Sequence, residues 1–187
     1  MKLCKVFILL ITGSILFSCV TKAPPAEVKQ EQFFELGQTG PGGGIVFYDA
    51  GSYEKGWRYL EVELNSSYEW AWGDTKNYLT AKERNIGSGP ANTKRMIEKI
   101  KGEFTAADGC SNVKHGNGSC DDWFLPSADE LFALYEYLLT TDYKPKSSAY
   151  WTSTEYSKTL ASYITLEGRE IYGTKTEIHG ITPIRAF

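Results

Sequence analysis

Few side chains in this sequence could carry out metal, redox or nucleophilic chemistry, since it contains two histidines and four cysteines. Cys110, His115 and Cys120 could be zinc ligands, but no fourth ligand lies nearby and the CxxC spacing is absent. Glu69 and Asp74 could form the carboxylate pair of a glycosidase, although a sequence cannot give their separation. No Gly-x-Ser-x-Gly motif accompanies either histidine. We therefore predict that the chain is not an enzyme and that it uses no metal or cofactor.

The N-terminal residues have the pattern of a bacterial lipoprotein signal. Lys2 and Lys5 precede an apolar run over residues 6–17. As a helix this run would rise about 18 Å, too little to cross a hydrocarbon core of about 30 Å. It ends at Ser18-Cys19, which resembles a lipobox whose cysteine is acylated. The alternative is a plain secretory signal that leaves Cys19 as a free thiol.

These features divide the chain into three parts. We expect residues 1–18 to be the signal peptide, residues 19–36 a lipidated tether, and residues 37–187 the folded domain. Lipid on Cys19 would anchor the protein to a membrane. The prediction is an outer-membrane lipoprotein that faces either the periplasm or the outside.

Export also decides how the remaining cysteines behave. Cys4 leaves with the signal peptide and Cys19 takes lipid, so Cys110 and Cys120 are left as a pair. Outside the cytoplasm such a pair most simply forms a disulfide. The bond would close a polar loop of 11 residues, which stabilises a fold by about 3 kcal/mol.

The composition is that of an ordinary folded domain. Hydrophobic residues make up 42% and charged residues 23% of the chain, which excludes a disordered protein. The net charge of −3 gives no electrostatic reason to expect nucleic acid as a partner. No linker, repeat or charge block interrupts the predicted domain.

Hydrophobic patterning predicts an α+β domain with a mostly antiparallel sheet, two helices and long loops. Glycines at 40–44 precede a strand at 45–48, and they indicate a tight turn where side chains will not fit. A second strand is expected at 57–62. The following segment, residues 65–89, is long, rich in aromatic residues and weakly periodic.

The second half of the chain has clearer signals. One helix is expected near 91–106, and another after Ser127, which forms a capping box with Glu130. Pro183 indicates that the last strand is an edge strand or is bulged. The tail predicts strands at 149–154, 162–166, 170–173 and 181–187.

Six segments together resemble a known family. They are Gly42-Gly-Gly-Ile-Val-Phe-Tyr48, Gly89-Pro-Ala-Asn-Thr93, Ala106-Ala-Asp-Gly-Cys110, Asp122-Trp-Phe-Leu-Pro-Ser127, Tyr150-Trp-Thr-Ser-Thr-Glu155 and Ile184-Arg-Ala-Phe187. In this order, over nearly all of residues 40–187, they resemble the bacterial domain named after the C-terminal part of the Legionella collagen-like adhesin. The resemblance implies a C-type-lectin-like fold, in which the first and last strands pair and long loops present the ligand surface. It also implies a secreted or surface protein, and the adhesin itself is associated with sulfated glycans.

The motif residues are expected to serve the fold. Trp151 and Glu155 would share one face of a strand, and a buried Glu155 would be held by backbone N–H groups. Arg185 should form a structural ion pair or a stacking contact. Calcium-dependent sugar binding is not expected, because neither Glu-Pro-Asn nor Trp-Asn-Asp occurs and Asp121-Asp122 alone supplies too few oxygen ligands.

The leading hypothesis is a surface-anchored binding module for a glycan or for a host or partner protein. Exposed aromatic and Arg side chains are typical of binding hot spots. An alternative for the two tryptophans is that they pin a long loop to the core. The candidates are Trp70, Trp72, Lys76, Tyr78, Arg84, Tyr156 and Lys158.

Two further classes of function stay open. One is a structural or self-assembling envelope lipoprotein that forms a homo-oligomer. The other, ranked last, is an enzyme related to formylglycine-generating oxidases or a glycosidase.

Overall fold

The structure is a computed structural model of the chain, and it describes residues 32–187 except residues 54, 66, 67, 77, 102 and 113. The predicted signal peptide, Cys19 and most of the predicted tether lie outside these residues. Within them, no helix is long and apolar enough to span a membrane. In chain order the elements are β1 (Ile45–Asp49), β2 (Tyr59–Val62), β3 (Tyr68–Ala71), α1 (Gly89–Lys99), α2 (Ala106–Ser111), α3 (Ala128–Leu138), β4 (Ala149–Glu155), β5 (Leu160–Thr165), β6 (Glu170–Thr174), β7 (Ile178–Ile181) and β8 (Ile184–Ala186).

The smaller of two sheets has the strand order β1-β2-β8, and both pairs are antiparallel. The family resemblance implied that the first and last strands pair directly. In the structure β2 lies between them and pairs with both. This sheet therefore brings the two ends of the described domain together through a third strand.

The glycine run before β1 folds over a buried carboxylate. Glu61 of β2 is fully buried and accepts hydrogen bonds from Gly42 N and Gly44 N, both at 2.9 Å. A Cβ on Gly42 would lie 2.7 Å from Glu61 Oε1, a distance that real contacts do not allow. The predicted tight turn is confirmed, and the reason is the close approach of this carboxylate.

Arg185 on β8 completes the same cluster. Its Nη1 donates to Glu61 Oε1 at 2.9 Å, its Nε contacts Asp122, and its guanidinium lies 5.6 Å from the ring centroid of Phe187. The predicted structural role of Arg185 is confirmed, because it neutralises the buried Glu61 and packs on an aromatic ring.

The larger sheet has five strands in the order β3-β7-β4-β5-β6. Its pairs are antiparallel except for β4 and β7, which pair in parallel at Tyr150 and Gly180. The single strand predicted at 181–187 is divided at Thr182 and Pro183 into β7 of this sheet and β8 of the smaller one. The predicted edge character of the last strand is confirmed, since β8 is an outer strand of its sheet.

Three helices replace the two that were predicted. The helix expected near 91–106 is broken, because Ile100 is extended (φ −93°, ψ 112°) at the end of α1. α1 therefore ends at Lys99, and Thr105 starts a separate helix, α2, with a capping box to Asp108. The capping box of Ser127 and Glu130 at the start of α3 is confirmed.

Two hydrophobic clusters form the core. One packs α1 and α2 against the larger sheet, and its largest buried side chains include Trp72, Trp151, Met96, Leu79 and Leu125. The other packs α3 between the two sheets and includes Phe47, Leu60, Phe124, Leu131, Leu134, Ile164 and Ile184. The described residues therefore form a small α+β domain with mostly antiparallel sheets, as predicted.

Candidate ligand-binding surface

A buried ion pair fixes the loop at residues 78–82 against the end of β4. The Glu155 carboxylate accepts hydrogen bonds from Leu79 N at 2.8 Å and Thr80 N at 2.7 Å. The Glu155 N–H donates to Ala81 O at 2.7 Å. Lys175 Nζ lies 2.5 Å from Glu155 Oε1, and both side chains are completely buried. The prediction that backbone N–H groups hold a buried Glu155 is confirmed, and Lys175 is the partner that sequence reasoning missed.

Thr80 in this loop has a left-handed backbone. Its φ is +61°, and it is the only non-glycine residue with positive φ among the described residues. Such a conformation is costly for a β-branched residue and persists where the surroundings over-determine it. Here the Glu155 carboxylate binds its N–H, and Arg95 Nη1 on α1 donates to its carbonyl at 3.3 Å. The Glu155 carboxylate and the Arg95 guanidinium therefore fix the backbone conformation of the loop at Thr80.

Two tyrosines stack at the surface beside this loop. The rings of Tyr156 and Tyr172 have centroids 4.1 Å apart and planes 21° apart. Their exposures are 57% and 43%, so each presents part of an aromatic ring to solvent. Tyr156 follows Glu155 directly, and Tyr172 lies on β6. The buried ion pair thus positions one ring, and the sheet positions the other.

Arg84 lies on the same side of the sheet as Tyr172. Its Nη2 is 3.1 Å from Glu170 Oε2, and its Nε is 3.1 Å from Asp129 Oδ1. Glu170 and Tyr172 are two residues apart in β6 and share a face. Burial disfavours the charged guanidinium, but the two carboxylates outweigh it and raise the pKa of Arg84 above its ordinary value. We call Tyr156, Tyr172, Glu170 and Arg84 the tyrosine surface.

The two tryptophans predicted to bind ligand do not join this surface. Trp72 is completely buried, and its Nε1 donates to Thr152 O at 2.7 Å; its ring also lies 4.8 Å from Lys175 Nζ. The prediction for Trp72 is wrong, and the alternative, that it pins the loop to the core, describes it. Trp70 is half-buried on β3 and packs on Phe104 with centroids 4.5 Å apart.

The remaining candidates divide between two places. Tyr78 comes one residue before Leu79, whose N–H binds Glu155, and Lys82 Nζ is 4.6 Å from the ring centroid of Tyr78. Lys158 is exposed in the turn after Tyr156. Lys76 instead forms a loose ion pair with Glu103 at 3.7 Å. Sequence reasoning missed Tyr172, because it stands in no motif and only its contact with Tyr156 places it at this surface.

The predicted disulfide is not present in the structure. Cys110 and Cys120 are free thiols. Cys110 is buried on α2 within the core, and burial raises the pKa of its thiol well above the ordinary value, whereas Cys120 is partly exposed. Hydrogen bonds hold the intervening loop instead, since Gly116 N donates to Glu63 Oε2 at 2.6 Å and Asn117 N donates to Gly42 O at 2.9 Å.

The other residues considered for chemistry serve the fold. His115 is buried with its Nε2 2.9 Å from Gly109 O, and its ring lies between those of Tyr68 and Trp123. Burial lowers its pKa. In the part of the chain that the structure describes, no three His, Cys, Asp or Glu side chains gather as metal ligands would. Glu69 accepts a hydrogen bond from Ser147 Oγ at 2.9 Å.

Comparison with known proteins shows a likeness of fold to a solved structure. No protein-family model and no curated protein matches the chain. Among solved structures, a fimbrial protein from Bacteroides ovatus is similar with a TM-score of 0.50 and 17% sequence identity. The match covers 77% of this chain and 44% of that protein, so the chain spans less than half of its length. At this identity the likeness describes the fold alone.

Proposed function

We propose that this chain is a bacterial envelope lipoprotein, anchored through lipid on Cys19, whose domain is a C-type-lectin-like binding module for a glycan or protein ligand. The domain acts by binding and catalyses no reaction. The likeness of its fold to that of a fimbrial protein supports a place at the cell envelope. The lipobox-like sequence that ends at Cys19 supports the anchor.

The observation that carries the proposal is the stacked pair Tyr156 and Tyr172. Monomeric proteins seldom leave two large aromatic rings together at the surface without a use for them. Tyrosine combines a flat apolar ring with a hydroxyl, which suits contact with sugar rings and with protein side chains. The buried Glu155–Lys175 pair and the sheet hold the rings in place. Little conformational entropy is then lost when a ligand binds.

The first test is binding of the purified chain to an array of neutral and charged glycans, with and without a calcium chelator. We expect a saturable signal that survives chelation. Tyr156→Ala and Tyr172→Ala should each weaken it about tenfold or more, because each removes a hot-spot ring worth about 1.4 kcal/mol or more. Tyr68→Ala is the matched control. This tyrosine is 38% exposed but lies on β3, at the opposite edge of the same sheet.

The outcomes separate the possible ligands. A signal that Tyr68→Ala reduces as much as Tyr172→Ala would refute the tyrosine surface as the site. A blank array would reject the glycan ligand, and the same three variants would then be compared against envelope or host proteins. If the chain binds neither glycans nor proteins, the assembly role is left. That role would be recognised by a molecular mass in solution that rises with protein concentration.

A further inference from the structure

The outer strand β6 has a defined set of backbone groups that face away from its sheet. At one end of the strand Lys175 N donates to Thr159 O, and at the other Thr165 N donates to Arg169 O, both at 3.0 Å. Hydrogen-bonded and non-hydrogen-bonded positions alternate in an antiparallel pair. The odd-numbered residues from 169 to 175 therefore direct their backbone groups to β5, and the even-numbered residues direct theirs outward.

Two residues of this outward row lack a partner in the described chain. Thr174 is capped, because its N–H donates to Glu177 Oε1 at 2.9 Å and its carbonyl accepts from Glu177 N at 2.8 Å. The described residues offer no such cap to the outward groups of Glu170 and Tyr172. Between them Ile171 is 39% exposed. An edge with open N–H and C=O groups and an exposed apolar side chain is a template for another strand.

The outward backbone groups of Glu170 and Tyr172 can pair with the same groups of a second copy. A two-fold axis that passes midway between Ile171 and Ile171 of the partner subunit relates the two copies. It places Glu170 opposite Tyr172 of the partner subunit, and Tyr172 opposite Glu170 of the partner subunit. Each of these two pairs can exchange both N–H···O bonds. Ile171 then faces Ile171 of the partner subunit at a non-hydrogen-bonded position, where side chains approach most closely. This isologous arrangement closes after two copies.

The charges beside the strand agree with the same register. Arg169 would lie opposite Gly173 of the partner subunit, on the same face of the joined sheet. The Glu177 carboxylate lies next to Gly173, since Oε2 is 2.6 Å from the position that a Cβ on this glycine would occupy. Arg169 makes no salt bridge to any described residue. The register therefore brings each Arg169 to Glu177 of the partner subunit, and symmetry makes this ion pair twice.

We infer that a second copy of this chain docks on β6, and that the two five-stranded sheets join into one through Glu170, Ile171 and Tyr172. The inference does not depend on the proposed ligand. It places the two tyrosine surfaces on one side of a joined sheet, where a repeating ligand could bind both copies and gain affinity through avidity.

The test is a symmetric cross-link at the two-fold axis. Ile171→Cys is made in the full-length chain in detergent, with Cys4, Cys19 and Cys120 replaced by Ser, and is exposed to a mild oxidant. Opposed residues at a non-hydrogen-bonded position have Cα atoms about 4.5 Å apart, within the range of a disulfide. We expect a reducible product of twice the 20.9 kDa chain mass. Ile178→Cys is the matched control, because this isoleucine is 59% exposed but lies on β7.

Charge reversal gives a second, independent test. In the Ile171→Cys background, Arg169→Glu should lower the cross-linking yield about tenfold, since two ion pairs become like-charge contacts. Arg169→Glu combined with Glu177→Arg should restore much of the yield. Melting curves must show that each variant folds. The inference would be overturned if Ile171→Cys and Ile178→Cys cross-link equally or if neither cross-links. It would also be overturned if the charge reversal leaves the cross-linking yield unchanged.

Discussion

The Glu155–Lys175 pair offers the sharpest test of how the loop at residues 78–82 is held. Both side chains are completely buried. Glu155→Gln keeps the shape of the side chain but removes the negative charge beside Lys175, and breaking a buried pair in this way costs about 3–5 kcal/mol. A Gln side chain also has one acceptor oxygen where Glu155 uses two, for Leu79 N and Thr80 N.

The expected loss is large compared with the stability of a typical domain. A buried donor left without an acceptor costs about 1–3 kcal/mol, but this cost and the broken ion pair share the same contacts and do not simply add. We therefore expect the free energy of unfolding to fall by at least about 3 kcal/mol, against about 5–15 kcal/mol for the whole fold of an ordinary domain. Lys175→Met in the Glu155→Gln background should recover part of the loss, since it removes the buried positive charge.

The assay is urea unfolding followed by tryptophan fluorescence and far-UV circular dichroism, with the slope compared between variants. Glu98→Gln is the control, because Glu98 pairs with Lys94 at 3.9 Å on the exposed face of α1 and such a pair contributes about 0.2–0.5 kcal/mol. A loss below about 1 kcal/mol for Glu155→Gln would refute the reasoning. So would a double variant less stable than Glu155→Gln alone.

Two further predictions concern the turn at Gly42 and the buried His115. Gly42→Ala should lower the free energy of unfolding by about 1–3 kcal/mol by overpacking, since the new Cβ would meet Glu61 Oε1 at 2.7 Å. A change of less than about 0.5 kcal/mol, the size expected for an ordinary surface substitution, would contradict the close-approach argument. Burial lowers the pKa of His115 below 6.5, so the unfolded chain binds the proton more readily and stability should fall as the pH drops below about 6.5. His115→Asn should reduce the dependence of the unfolding free energy on pH below about 6.5. If this dependence is unchanged in the variant, groups other than His115 cause it.

Local signals in the sequence determined several elements correctly. The capping box at Ser127 and Glu130 predicted the start of α3, and the glycines before β1 predicted a turn without room for side chains. These predictions succeeded because each depends on neighbouring residues or on a spacing of two to four along the chain.

Other features depended on contacts between distant residues. One helix was predicted where two occur, because the capping box at Thr105 was overlooked beside a periodic apolar pattern. Trp72 was a candidate for ligand binding as well as for pinning its loop to the core, and its hydrogen bond from Nε1 to Thr152 O, 80 residues away, decides for the core. A disulfide was predicted from export alone, whereas the core position of Cys110 is set by the packing of α2.

The sequence by itself therefore determined the class of the fold, the turn chemistry and most strands, since periodicity and caps act locally. Only the tertiary structure decided which aromatic rings reach the surface, because burial depends on what packs above each residue. It placed Tyr156 on Tyr172 across two strands, Arg84 on Glu170, and the outward backbone of β6 at an edge. A free edge is a property of the sheet as a whole, and no single segment of the sequence contains it.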